Sequence, residues 1–523
     1  MHSAIHSNIS ITARPSSITW RLVLTVLLSL AVVHALAVLS TGINSPLLDL
    51  HSFRQTQTAL SAYTILQGGP WLAYETPVLG YPWSIPFEFP IYQLLCAALA
   101  WTGVPLDAAG RLVGFAFFLA VLSPLALLYK TVGFGRITYL VTAILYLTSP
   151  LYLYWSRTFL TESCALFFAV SWLALTARYL ARPNRYWLLA AIVCGSLATL
   201  AKSTTFPAFL LIGGIMTLVR LRASFQSECR RHFLRMTALT TANLLLPLVV
   251  GVIWVRYSDH VKAANAYGQL LTSEGLKDWI YGNTATLKIS SLLWIDTVRN
   301  RVLSDVLGYS VVVGLIALGA TLTSRRHLVT VILALVGFLL PFLVFTNLHI
   351  VHNYYQNSNA IFLIAAVGFG LAKIYDSAQR TVAVALTMAI AAGQLLFFYD
   401  RFAPHLTYDY SQQPLLRVAQ FAHDNTPENA ALIVIGDAWS SGVPYLSKRR
   451  SLVIPGWTQK PLLESIFSDP QHFLGDAPLG GVVYCAQQLS TYNAQVPLVE
   501  AFIAGRERLF EFGGCEFLSP GRL

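Results

Sequence analysis

The sequence predicts an all-α polytopic membrane protein followed by a small C-terminal α/β soluble domain. About eleven transmembrane helices are expected, with surface-lying helices in the first outer loop. Three observations predict this. Apolar residues make up 55% of the 523 residues and charged residues only 11%, against roughly a quarter charged in soluble domains. The mean hydropathy is +0.58, so hydrocarbon is the solvent for most of the chain. The net charge of +11 gathers in short connections between apolar runs, as the positive-inside rule requires. It is not arranged with aromatics on a soluble segment, so nucleic acid is not an expected partner.

Apolar runs of spanning length fall at 18–39, 112–128, 137–154, 160–180, 186–200, 206–219, 238–255, 308–322, 329–345, 361–374 and 382–398. The first reads as an uncleaved signal anchor. A further stretch, 89–101, is short and interrupted by Gln93. Reading it as re-entrant or surface-lying puts Lys130, Arg136, Arg178, Arg182, Arg185, Arg220, Arg222, Arg325, Arg326, Lys373 and Arg380 on one face. Counting it as a span would scatter them. The chain then divides into a membrane domain, 1–400, with a first outer loop at 41–111, and a non-cytoplasmic domain, 401–523. In that tail 431–435, 451–454, 481–485 and 508–512 read as strands and 461–467 and 496–504 as helices. Six cysteines show no C-x-x-C spacing, so no zinc or redox motif is present. Cys485 and Cys515 are free to pair if the tail is oxidised.

The outer connections hold the candidate chemistry. Asp49 stands just before a helix, and Ser52 with Gln55 fits a capping box. The partial positive charge of a helix start favours the ionised carboxylate that a general base needs; the plainer alternative is that Asp49 only supports the helix start. The same loop carries His51, Arg54, Trp71, Tyr74, Glu75, Tyr81, Trp83, Glu88 and Tyr92, a set suited either to holding sugars or to an interfacial aromatic belt. Arg157 and Glu162 flank the mouth of an apolar helix, as functional groups or as an ion pair with each other. Lys202 closes another span, placed to meet a phosphate or simply to snorkel. A late loop offers His349, His352, Tyr354 and Tyr355 as donors to anionic oxygen, and the two histidines also have a spacing open to a metal.

These pieces, in this order, resemble the C-type glycosyltransferase superfamily, which includes protein O-mannosyltransferases, the lipid A aminoarabinose transferase and the oligosaccharyltransferase catalytic subunit. The resemblance covers about residues 20–400. It rests on Asp49 after the first span, Arg111 at the second, Ser156-Arg157 and Glu162 after the third, Leu197-Ala198 ahead of Lys202, and His352-Asn353-Tyr354-Tyr355. Relatives with two adjacent acids in the first loop differ from this chain, where Leu50 and His51 follow Asp49. Glu75 and Glu88 are therefore the other acids to consider.

The resemblance implies a hexosyl- or pentosyltransferase of the plasma membrane, in bacteria the inner membrane. Its donor would be a polyprenyl-phosphate sugar, and its acceptor a glycan, lipid or protein on the outer face. Asp49 would be the base, with inversion at C1. Substrate contacts would come from His51, Arg54, Glu88, Arg111, Arg157, Glu162, Lys202, His352, Tyr354 and Tyr355. The resemblance fixes no cofactor and leaves a divalent metal open. The rival readings are a flippase or transporter of lipid-linked sugars and an outer-face glycan ligase or polymerase. A transporter should carry ionisable groups near span midpoints, whereas here they gather at helix ends.

Overall fold

The computed structural model describes residues 17–227, 229–282, 284–436 and 438–521. Every predicted apolar run lies on a helix. Eight helical stretches among the described residues are long and apolar enough to cross a membrane: Thr19–Ser40, Leu106–Val132, Glu162–Ala181, Phe206–Gln226, Arg230–Lys262, Leu292–Thr323, Arg325–Val344 and Arg380–Arg401. Arg136–Thr148, Arg185–Ala201 and Ala360–Asp376 supply the shorter members of the bundle. The run 137–154 breaks at Ser149, because Pro150 disfavours the helical conformation in the residue before it. Stretch 89–101 folds as a short helix, Ile91–Trp101.

The first helix is apolar all round. Leu24, Ala31, Ala35 and Val38 are buried in the bundle, while Leu22, Val26, Leu30 and Val33 face outward. In water those exposed side chains would be costly; in lipid they are solvated. Close helix approach depends on small residues. A β-carbon on Gly195 would stand 2.6 Å from the Trp172 ring and 2.7 Å from Pro247, so three helices meet there. Basic residues of different short connections bind helix ends across the bundle. Arg326 donates to the carbonyls of Val132 and Gly133, and Arg220 donates to that of Leu180.

The tail builds a five-stranded sheet from β1 (Ala431–Ile435), β2 (Arg450–Ile454), β3 (Leu479–Cys485), β4 (Arg508–Phe512) and β5 (Cys515–Leu518), in the order β2-β1-β3-β5-β4. The first three strands run parallel, and β5 is antiparallel to both its neighbours. β5 is an addition to the predicted strands. Cys485 and Cys515 sit opposite each other on β3 and β5 and are disulfide-bonded.

The 41–111 loop completes this sheet. The backbone amides of Ser451 and Val453 donate to the carbonyls of Pro77 and Val78, and Gly80 donates back to Ser451. The outer edge of β2, which would otherwise present unpaired backbone groups, is thereby covered. Val78, Leu79, Trp83 and Ile85 share one hydrophobic core with the sheet and with Tyr267 and Leu271, which follow the helix Arg230–Lys262. Tyr445 of the tail also donates to Asp107. The tail is thus fastened to the same end of the bundle that carries the 41–111 loop.

Candidate active site

Beneath the tail lies a cavity of about 330 Å³, and its position follows from how segment 86–89 is held. The Tyr74 hydroxyl donates to the Glu88 carbonyl and accepts from the Phe87 amide. Trp254 and Ser258, on the helix Arg230–Lys262, donate to the carbonyls of Phe87 and Pro86, and the Phe89 amide donates to the carbonyl of Leu200. These bonds fix Glu88 opposite Arg54, which sits in the first turn of the helix Ser52–Leu66. Arg54 and Glu88 form an ion pair facing the cavity. Burial alone would raise the Glu88 carboxyl, but the charges of Arg54 and Lys202 outweigh it and hold the group below its usual range.

Lys202 follows the helix Arg185–Ala201 and pairs with Glu162, the first residue of Glu162–Ala181. That carboxylate also meets the positive end of its own helix. The Lys202 ammonium lies 4.3 Å from the centre of the Tyr355 ring and 5.2 Å from that of Tyr354. His352, Tyr354 and Tyr355 stack at interplanar angles of 28° to 29°. Burial, aided by the positive charges of His51, Arg54, Lys202 and Arg301, lowers His352 to about 3. It is therefore a neutral imidazole at ordinary pH.

The cavity is lined by six of the predicted residues: Arg54, Glu88, Lys202, His352, Tyr354 and Tyr355. The other predicted residues lie outside its lining. Glu162 stands behind Lys202. His51 packs edge-on against Tyr354 at 4.9 Å and bonds Asn353. Glu75 pairs with Arg450 of the tail at 3.1 Å. Asp49 belongs to a separate buried knot in which Gln55 donates to its carboxylate at 2.5 Å and Arg157 faces it at 3.8 Å. Arg157 also donates to the carbonyls of Thr41 and Gly42, and Arg111 donates to those of Ile43 and Ser45.

Three contacts that the spacing allows do not form. The Ser52–Gln55 capping box does not form. His51 precedes the helix in a left-handed conformation (φ 53°) without a side-chain cap, and the Gln55 amide is engaged by Asp49, Leu50 and the Phe159 backbone amide. Arg157 and Glu162 do not pair with each other, because Lys202 takes Glu162 and Arg157 turns to Asp49 and the 41–42 turn. His349 and His352 also diverge. His349 is buried against Phe342 at 4.6 Å and does not line the cavity.

Several lining residues carry no sequence signal for a site. Phe53, Phe87, Lys262, Asp259, Trp254, Trp279 and Tyr281 read as belt or helix-end residues. Lys262 pairs with Asp259 at 3.0 Å and lies 5.1 Å from the Phe87 ring. Trp439 comes from the loop after β1, and one rule could have found it: open parallel sheets bind ligands at the carboxyl ends of their strands. Beside the cavity a recess lined by Thr199, Ser203, Phe206, Leu248, Val252 and Val255 opens between helices 206–227 and 230–262. Val252 there is exposed on the outer surface of the bundle.

No family model matches the chain, and no curated protein sequence matches it. Solved structures do match its fold. The crystal structure of ArnT from Cupriavidus metallidurans bound to undecaprenyl phosphate superposes with a TM-score of 0.62 at 13% identity, covering 96% of this chain and 98% of ArnT. The archaeal oligosaccharyltransferase AglB from Archaeoglobus fulgidus, in complex with an inhibitory peptide and a dolichol-phosphate, gives 0.58 at 13% identity, covering 97% and 75%. The mycobacterial arabinofuranosyltransferase AftD gives 0.54 at 15% identity, covering 98% of this chain and 42% of AftD. The match to ArnT spans nearly the whole of both chains, bundle and tail together, and the chain has the C-type glycosyltransferase fold.

Proposed function

We propose that the protein transfers a sugar from a polyprenyl-phosphate carrier to an acceptor on the outer face of the membrane. One observation carries the reading. A single cavity joins two cation–carboxylate pairs, Arg54–Glu88 and Lys202–Glu162, to an apolar wall of Leu276, Ile280, Phe345 and Leu348. That combination suits a phosphate on an isoprenoid tail: cations and hydroxyls for the head, apolar surface for the chain. The lateral recess beside Val252 supports entry of such a lipid from the bilayer. The one-sided basic connections and the disulfide in the tail support an outer placement of this end.

In the reaction, the bond between sugar C1 and the lipid phosphate oxygen breaks as an acceptor hydroxyl oxygen bonds C1 from the opposite face. Lys202, Arg54 and the Tyr355 hydroxyl stabilise the charge arriving on the departing phosphate. A carboxylate takes the acceptor proton. Of the acids considered, Glu88 lines the cavity and Asp49 does not, which favours Glu88 as the base and gives Asp49 the task of holding Gln55 and the helix start. Neutral His352 stays a hydrogen-bonding group rather than a second cation. Polar groups gathered at one end of the bundle also favour surface transfer over transport.

The test is mass spectrometry of surface glycans and lipids from cells with and without the gene, complemented by wild type or Glu88→Gln. A sugar that disappears with the gene and returns only with wild type supports the reading. Unchanged glycans and lipids in the deletion would refute it.

A further inference from the structure

The cavity lining holds two unlike groups of residues, and only one of them is accounted for by a lipid phosphate. Apart from the tyrosine stack, Phe53, Phe87 and Trp439 form an aromatic corner of the lining. Trp439 meets Phe53 edge-on at 4.8 Å and Phe87 at 5.8 Å and 37°. Two ion pairs adjoin the Phe87 ring: the Arg54 guanidinium, paired with Glu88, lies 5.5 Å from its centre, and the Lys262 ammonium, paired with Asp259, lies 5.1 Å away. Trp439 is the one cavity-lining residue that the tail supplies among the described residues. Its loop is held in place, since the Tyr492 hydroxyl accepts from the Gly436 amide and donates to the Ile454 carbonyl.

We infer that this corner is the acceptor subsite and that the acceptor is a carbohydrate, seated with one face of a sugar ring on Trp439. The inference rests on the proposed transferase reading and names its second substrate. A pyranose presents C–H groups on its face and hydroxyls around its rim. An aromatic platform flanked by two ion pairs answers both, offering apolar area beneath the ring and donors and acceptors at its edges. An acyl chain would leave two half-buried ion pairs without polar partners in the ligand, an expensive arrangement. The geometry also orders the substrates. Glu88 is tied to the aromatic corner through Arg54, which lies over the Phe87 ring, and it also feels the charge of Lys202, so a hydroxyl presented from Trp439 is offered to the carboxylate while the phosphate stays with the lysine. The tail then completes the active site rather than merely capping it.

The experiment is a pair of titrations on the full-length purified protein, with undecaprenyl phosphate in one arm and neutral oligosaccharides released from the host's own surface glycans in the other. Wild type, Trp439→Ala and Trp439→Phe are compared. Trp439→Ala should weaken oligosaccharide binding by about tenfold or more, Trp439→Phe should recover most of it, and undecaprenyl phosphate affinity should stay within about twofold. Oligosaccharide binding that is absent in wild type, or equal in wild type and Trp439→Ala, overturns the inference. So does an equal loss in both arms, which would make Trp439 a structural residue. The two claims fail separately. Trp439-dependent oligosaccharide binding without any binding of undecaprenyl phosphate would sustain the subsite and defeat the lipid-donor reading.

Discussion

Two knots of charge lie at the same end of this molecule, built from the same residue types, yet they are spent differently. In the first, Arg111 and Arg157 direct their guanidinium groups at backbone carbonyls of residues 41–45, and Asp49 is shared between Gln55 and Arg157. All three charged residues are buried, and none lines the cavity. Cations used this way fasten the chain leaving the first helix onto the rest of the bundle. In the second knot, Arg54–Glu88 and Lys202–Glu162 place side chain against side chain, and three of the four open onto a cavity walled by rings. What separates scaffold from site is the partner and the open face rather than the presence of charge. A backbone carbonyl is a permanent partner, whereas a carboxylate beside an open cavity leaves its cation able to meet a phosphate.

The contrast can be broken or sharpened by substitution. Removing the Glu88 carboxylate while keeping a hydrogen-bonding amide, Glu88→Gln, should lower transfer by roughly 10²–10⁴-fold with folding intact, the usual worth of a general base. Glycan mass spectrometry reads the first quantity and a melting curve the second. Lys202→Met should be the most damaging to stability. It strands Glu162, whose side chain is only 3% exposed, and losing one partner of a buried pair costs about 3–5 kcal/mol. The double variant Lys202→Met/Glu162→Met should regain much of that stability without regaining undecaprenyl phosphate binding, which a purely structural pair would not predict.

Smaller effects are expected away from the cavity. Cys485→Ala with Cys515→Ala should destabilise the tail by about 2–4 kcal/mol, read as a lower melting temperature and greater protease sensitivity of the sheet. Asp49→Asn keeps an acceptor for Gln55, so turnover should fall by less than about tenfold, far short of a lost base; a loss as deep as that of Glu88→Gln would restore Asp49 to the catalytic role. The gentlest effect is on pH. His352 is neutral when folded, with its pKa near 3, against 6.5 when exposed. As pH falls below about 6.5 the unfolded chain gains a proton that the native protein refuses, so stability drops progressively toward pH 3. Wild type should therefore lose more melting temperature than His352→Asn between about pH 7 and pH 4.5.

The bundle was legible because each span announces itself locally through a run of mostly apolar residues, and the one-sided basic connections pointed to a common orientation for them. Four of the five strands were equally local; β5, which follows β4 after the short Gly513-Gly514 turn, was not. The cavity was legible by residue type, as six of its liners stood among the expected site residues. Its internal order was hidden. Ser52 and Gln55 have capping-box spacing, yet the carboxamide is claimed by Asp49 and by a backbone amide 104 positions away. Nothing near Glu88 in sequence distinguishes it from Glu75. What does so is Tyr74, Trp254, Ser258 and Leu200, drawn from three parts of the chain. Trp439 lies beyond the last span, and long-range contacts such as the pairing of β2 with segment 77–80 bring the tail over the cavity.

The most direct test of the central claim is sugar transfer by purified protein in vesicles, with the host's surface glycans as acceptor. A labelled polyprenyl-phosphate sugar is supplied in one reaction and a nucleotide sugar without polyprenyl phosphate in the other. The account predicts labelled glycan from the lipid donor alone, with undecaprenyl phosphate inhibiting in competition with it. Label transferred from the nucleotide sugar alone, or transfer from the lipid donor that undecaprenyl phosphate leaves untouched, would contradict it.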